Sequence, residues 1–247
     1  MTIRTVVATS LLAAVLAAAP ARAACGPEAL GTHRTLAVAT SGGPAYGTKH
    51  YPATLPLRDG EFVLTFDDGP AAGTTERVLA ALAAECTRAT FFLIGRNAAG
   101  LPALAARTAR EGHTIANHTF SHPWTIDKLS DDKGLAEVDN GAAAIRKAIG
   151  SAGTLAPFLR FPGFVETPAL RAEMSRRNVA ILGADLWASD WNTMTPEAQL
   201  ALVVSRMAKA KKGIVLFHDT RGQTAAMIPA LLRTMQARGW RVVHITG

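Results

Sequence analysis

From residue 61 onward, short apolar runs alternate with longer amphipathic ones. The apolar runs are EFVLTF (61–66), ATFFLI (89–94), HTIAN (113–117), PFLRF (157–161), VAILGADL (179–186), GIVLFHD (213–219) and WRVVHIT (240–246). Their length and their branched and aromatic content predict strands. Between them, TTERVLAALAAEC (74–86) sets Val78, Leu79 and Leu82 on one helical stripe. LPALAARTAREG (101–112) ends on Gly112, a C-cap signal. Two further helices are predicted, from Ser130 to Gly150 and from Thr195 to Gly213, each opened by a capping hydroxyl and closed by glycine. Strands alternating with helices imply parallel pairing through helical crossovers. Seven such strands predict an α/β fold, a deformed (β/α) barrel resembling a TIM barrel; an open doubly wound sheet is the alternative. No linker or repeat interrupts residues 57–247, so they read as one domain.

The region before that rhythm is different. Residues 24–56 are rich in Gly, Pro, Thr and Ala without a period and read as an extended N-terminal arm. Residues 1–23 combine one early cation, the apolar run TVVATSLLAAVLAAAP and the small-x-small signal ARA. That pattern predicts a secretory signal peptide cut after Ala23, hence an exported protein, periplasmic or secreted, with no membrane span after cleavage. Pro20 and the shortness of the apolar run argue against a spanning anchor, and Arg22 argues against lipidation at Cys25.

Composition changes this picture in three places. Aromatics are only 6% of 247 residues, so the core rests on Ala, Leu, Val and Ile. The formal charge of +7 loses Arg4 and Arg22 with the signal and falls by two, to +5, which favours anionic polymers. The basic clusters RR (176–177) and KAKK (209–212) lie on predicted helix faces, and nothing resembles a nucleic-acid motif. The even cysteine count in an exported chain predicts a Cys25–Cys86 disulfide pinning the N-terminal segment to the first helix. A monomer is expected.

The chemistry collects at one end of the predicted sheet. TFDDGP (65–70) alone is turn punctuation, since Asp, Gly and Pro all favour turns. Turn chemistry does not also predict His118 and His122 after the third strand, Arg160 at the fourth, Asp190 and Trp191 after the fifth and His218 at the sixth. Catalytic groups of a parallel barrel gather past the C-terminal ends of its strands. His118 and His122 are four apart, so on one helical turn both imidazoles would face one ion. With Asp68 they make two histidines and a carboxylate, a set that leaves a position open for water and suits Zn²⁺ or Fe²⁺. Hydrolysis needs no redox change, which favours Zn²⁺, with another divalent metal as the alternative.

In order along the chain, TFDDGP, HTFSH, RFPG, SDW and LFH resemble the motifs of the polysaccharide deacetylases, the NodB-homology domain of carbohydrate esterase family 4. The resemblance implies that Asp68, His118 and His122 hold the metal and that Asp67 is the general base, paired with Arg160. It implies that His218 is the general acid, oriented by Asp190, and that Leu216 and Trp191 line the acetyl pocket. The implied substrate is an acetylated glycan, with the oxyanion bound by the metal and a backbone N–H near Gly163. Gly69 is expected to give the backbone freedom to present both carboxylates. This chain departs from the family at Gly163, where an aromatic is usual; Phe164 is the expected replacement wall.

Other residues take blander readings. His113 and His244 read as packed, His33 and His50 as solvent-facing and Asp219 as a turn residue. Asp185 is a candidate support for the site, and Trp124 and Trp187 are candidate groove walls. Three rivals to an N-deacetylase stand: an O-acetyl ester hydrolase, a metal-free cyclic-amide hydrolase and a non-catalytic glycan-binding protein.

Overall fold

The structure, a computed structural model, describes residues 25–26 and 28–247; the expected signal peptide, residues 1–23, lies outside them. Among the described residues no helix is long and apolar enough to cross a membrane.

All seven predicted strand regions carry strand. In chain order they hold β3 (Glu61–Asp67), β4 (Thr90–Leu93), β5 (Thr114–Asn117), β6 (Leu155–Leu159), β7 (Ala180–Leu182) with β8 (Leu186–Trp187), β9 (Gly213–His218) and β10 (Arg241–Thr246). Every pairing among them is parallel, in the order β8-β9-β3-β4-β5-β6-β7, with β10 joining the lower end of β3. The crossovers are helical: α1 (Thr75–Ala84), α2 (Gly95–Gly100), α3 (Pro102–Arg110), α4 (Asp131–Ile149), α5 (Pro168–Arg176), α6 (Pro196–Ala210) and α7 (Gly222–Ala237).

The side-chain period of two sorts each strand into two layers. Phe62, Leu64 and Phe66 of β3, with Val215 and Phe217 of β9, pack outward against helices α1 and α7 through Val78, Leu79, Leu82, Ile228 and Leu231. Val63, Phe92, Ala116, Phe158, Leu182, Ile214 and Val243 face the other way and meet in a single cluster. Residues from seven strands can converge on one cluster only if the sheet is curled, so this is a barrel-like fold with a filled interior.

The barrel has a seam. VAILGADL is not one strand: it pairs with β6 as β7, crosses at Gly183–Asp185, then pairs with β9 as β8. The arm fills the gap. β2 (Ala45–Tyr46) pairs with β7, and the Lys49 N–H donates to the Ala184 carbonyl (3.0 Å). Gly47 at φ +113° is required there, since a Cβ would stand 2.5 Å from the Ala184 nitrogen. β1 (Thr32–Ala37) adds to β10. The N-terminal arm is therefore part of the sheet, through β1 and β2. Cys25 and Cys86 are disulfide-bonded, tying the start of the described chain to the end of α1.

Candidate active site

Strand parity builds the site. The inward positions of β3 are Val63, Thr65 and Asp67; those of β9 are Ile214, Leu216 and His218. Asp67 and His218 end their strands in register with each other, so both emerge at the top of the barrel interior. His118 follows β5 on the parity of Ala116, and Arg160 follows β6 on the parity of Phe158. Four of the residues picked from the sequence thus face one cavity by simple alternation.

Asp68 breaks that alternation. A continued strand would turn its side chain toward the helices, but a left-handed backbone (φ +75°) swings it into the cavity. Gly69 does not supply the expected freedom, since it is absent from the positive-φ glycines. Its reason is close approach: a Cβ there would lie 2.3 Å from Asp219 Oδ2. Asp219 is the turn residue expected, but a fully buried one, beneath the Asp67–Asp68 turn, and it accepts from the Thr75 hydroxyl (2.5 Å). Burial pushes its carboxyl up to about 7.

The histidine pair is not on a helical turn. Residues 118–122 form a loop in which Thr119 and His122 both take positive φ. Helix α4 holds that loop: Glu137 accepts from the Ser121 N–H and hydroxyl (both 2.8 Å), and its carbonyl accepts from the Phe120 N–H (2.9 Å). Gly141 permits this contact, since a Cβ would stand 2.6 Å from Asn117 Oδ1 and from the Thr119 backbone. The two imidazoles come together, through a loop and not through a helical turn.

Asp68, His118 and His122 each offer a ligand atom within 4.8 Å of the others. His118 Nε2 and His122 Nε2 lie 3.5 and 3.4 Å from Asp68 Oδ1. The Arg160 carbonyl can only accept, so His118 donates to it from Nδ1 (2.7 Å), which leaves the Nε2 lone pair facing the cavity. Burial, and then the neighbouring His118, lower the pKa of His122 and keep its lone pair available. Asp68 Oδ1 is buried and accepts no hydrogen bond among the described residues. Burial would raise that carboxyl, but the imidazoles of His118, His218 and His122 outweigh it and hold it well below the usual range. An orphaned, ionised carboxylate oxygen facing two imidazole nitrogens fits a divalent cation.

Asp67 and His218 flank this triad. Arg160 is fully buried and donates to Asp67 Oδ1 (2.6 Å), Thr65 Oγ1 (2.9 Å) and the carbonyls of Leu182 (2.8 Å) and Gly183 (2.7 Å). Its guanidinium also lies over the Phe92 ring. His218 Nδ1 meets Asp190 Oδ1 at 2.7 Å, while Asp190 Oδ2 accepts from the His218 N–H and the Thr224 hydroxyl (both 2.7 Å). Burial opposes the His218 cation, but Asp190, with Asp67 and Asp68 behind it, raises its pKa to about 9. The cavity therefore carries a carboxylate on one side and a protonated imidazole on the other.

The cavity measures about 460 Å³, and its walls include Gly163, Phe164, Leu216 and Trp191, as well as Trp124, Trp187, Phe161, His50 and Arg221. Trp124 and Trp191 are 67% and 44% exposed, a wetted aromatic surface of the kind sugars stack on. Gly163 (φ +59°) lies under Trp124, whose ring would stand 3.1 Å from any Cβ there. Trp124 therefore covers Gly163, and Phe164 lines the same cavity. His50 is exposed but not idle: it stacks on Phe164 at 4.1 Å between centroids. The solvent-facing reading of His50 holds, but no sequence signal marks its stacking on Phe164 at the cavity wall. Asp185 does not reach the site; it accepts from Thr48, Thr54 and the Ile214 N–H and staples the arm. His113 accepts from the Ala89 N–H (3.1 Å) at the opposite end of the barrel, and His244 contacts Thr114 (2.8 Å) there.

Residues 55–180 match the polysaccharide deacetylase family. The chain belongs to that family. It is 31% identical over 195 residues to a peptidoglycan-N-acetylglucosamine deacetylase of Bacillus cereus, covering 72% of this chain and 66% of that one. It is 31% identical over 194 residues to a chitooligosaccharide deacetylase of Bradyrhizobium sp., covering 72% and 86%. Among solved structures it resembles a peptidoglycan deacetylase of Bdellovibrio bacteriovorus, with a TM-score of 0.77 and 30% identity over 87% of this chain and 58% of that one. A family 4 carbohydrate esterase from Streptomyces lividans, in complex with acetate, gives a TM-score of 0.66 and 30% identity over 76% and 93%. The chain thus spans just under two thirds of the Bacillus relative and about three fifths of the Bdellovibrio protein.

Proposed function

We propose that this protein is an exported, Zn²⁺-dependent deacetylase that removes N-acetyl groups from an amino-sugar polymer or oligomer. The observation that carries the reading is the placement of an acceptor, Asp67, and a donor, His218, on opposite flanks of a triad suited to a cation. Binding alone has no use for that pairing. The likeness to peptidoglycan and chitooligosaccharide deacetylases supports the same substrate class.

An amide is a poor electrophile with a poor leaving group. Asp68, His118 and His122 would hold a divalent cation, which would supply Lewis acidity to the acetyl carbonyl and to the attacking water. Asp67 takes the proton from the attacking water, with the Arg160 guanidinium holding its carboxylate aimed at the cavity. The backbone N–H at Gly163 donates to the oxyanion. His218, held protonated by Asp190, gives its proton to the departing amine. Leu216 and Trp191 enclose the acetyl methyl group, and Trp124, Phe164 and Trp187 offer ring faces to the sugars.

The test is Asp67→Asn on N-acetylglucosamine oligomers. Acetate release is expected to fall about 10²–10⁴-fold with bound Zn²⁺ unchanged, whereas His118→Ala loses the metal itself. Unchanged turnover in Asp67→Asn, or full turnover after exhaustive chelation, would sink the mechanism. The likeness to the Streptomyces esterase favours a second reading, O-acetyl ester hydrolysis. Acetate released from acetylated xylan and not from the amide oligomers would establish it.

A further inference from the structure

A second cavity, of about 440 Å³, lies on the far side of Trp187 and is lined by Lys49, Asp185, Trp187, Arg206 and Lys209. Trp187 lines both cavities, so they are neighbours along one surface. Its charge is one-sided. Lys49, exposed on the arm, holds its ammonium 5.1 Å from the centre of the Trp187 ring. Arg206 is fixed through Nη1, which donates to the Trp187 carbonyl (2.6 Å) and to Ser189 Oγ (2.7 Å). Lys209 sits one turn further along α6. The one acid, Asp185, is already committed: Oδ1 accepts from the Thr48 N–H and hydroxyl, and Oδ2 accepts from the Thr54 hydroxyl and the Ile214 N–H. Three cations therefore face the cavity against one satisfied carboxylate.

We infer that this cavity is a subsite for a carboxylate carried by the same glycan whose acetyl group occupies the catalytic cavity. The inference deepens the proposed function and rests on its choice of a glycan. A chain leaving the catalytic cavity across the Trp187 ring delivers a substituent between Lys49, Arg206 and Lys209. A neutral amino-sugar chain has nothing to place there, so the favoured substrate is an acidic one, with carboxylates on an ether-linked acid or a uronic acid unit. The positive balance of the whole chain acts in the same direction at longer range.

The experiment compares equilibrium binding of paired glycan fragments to the metal-loaded protein, read by tryptophan fluorescence. One pair carries an ether-linked acid and its amide; the other carries a uronic acid and its amide. Binding is expected to be about three- to tenfold tighter for an acid than for its amide at low salt, a ratio that collapses toward one in 0.5 M salt. The pair showing the larger ratio identifies the source of the carboxylate. In Lys49→Ala/Lys209→Ala the ratio is expected to fall to about one; both side chains are exposed, and the ratio cancels any common loss of affinity. Equal binding of acid and amide by the wild type overturns the subsite. So does a ratio that survives the double substitution, which would move recognition to Arg221 in the catalytic cavity. Absence of acetate release from every fragment would fell the deacetylase reading instead, while the binding ratio still decides the subsite.

Discussion

Asp67 and Asp68 are neighbours in sequence that reach the same cavity by different means, one by strand parity and one by a left-handed backbone. The types and order of the site residues are legible in the chain because metal, base and acid chemistry each demand particular side chains. The backbone that presents them is not legible, because it depends on Asp219, which arrives from 150 residues away and forbids a Cβ at Gly69. Gly69→Ala is therefore expected to cost about 1–3 kcal/mol in chemical unfolding, the range for overpacking. Adding Asp219→Ala is expected to recover most of it; no recovery would mean that the cost lies in the backbone. His218 yields a second expectation. Its raised pKa makes the folded state bind a proton more tightly than the unfolded chain, whose value is the ordinary 6.5. That stabilisation is fully present below pH 6.5 and is lost as pH rises through about 9. In metal-free protein, Asp190→Asn should move the His218 titration seen by NMR well below 9. The melting-temperature gap between the two proteins should be widest in acid and narrow above pH 9; a gap independent of pH would refute the coupling.

At the scale of elements, the strand and helix periods read from the sequence describe the barrel from β3 to β10 well. Period-two alternation even assigns which residues face inward. Three features escape it. VAILGADL is apolar but for Gly183 and Asp185, and two isolated breakers in an eight-residue run do not by themselves mark the crossover that makes it β7 and β8. The pair at 118 and 122 has helical spacing, yet α4 and Glu137 hold it as a loop. The strands of the arm are too short, or too polar on one face, to stand out: β2 has two residues, and β1 alternates between half-buried and exposed. What holds the arm in the seam is Asp185. Asp185→Ala removes four accepted hydrogen bonds and leaves the buried Ile214 N–H without its carboxylate, worth about 1–3 kcal/mol for that one group. Amide exchange should accelerate across residues 44–54 more than in β3 or β9. Because the arm carries His50 to Phe164, glycan affinity should fall with it; uniform exchange changes across the whole barrel would argue against a local staple.

Across the whole molecule, the two ends of the described chain meet the barrel at its lower rim and are fastened differently. The C-terminal strand β10 lies between β3 and β1, inside the sheet. The N-terminal segment has fewer contacts before β1: the Leu30 N–H donates to Glu85 Oε2 (3.0 Å), the Gly31 N–H donates to the Glu85 carbonyl (2.8 Å), and the Cys25–Cys86 bond closes a separation of 61 residues. That loop encloses β1, β2, β3 and α1, so the crosslink restrains in the unfolded chain the same segments that carry Asp67, Asp68, Lys49 and His50. The chain-entropy relation for a loop of this length gives about 4 kcal/mol at 25 °C, an upper figure if the reduced chain keeps residual structure. For a domain of this size, that corresponds to a melting temperature lower by about 8–16 °C in Cys25→Ser/Cys86→Ser. Because the bond lies at the end of α1 and the cavity of Asp67 and His218 lies past the opposite ends of the strands, acetate release at 25 °C should be close to wild type. Calorimetry and an acetate assay on the same sample test both halves. A variant that melts with the wild type would show the bond to be energetically idle, and one that keeps its melting point but loses turnover would place the arm, rather than the crosslink, in control of the site.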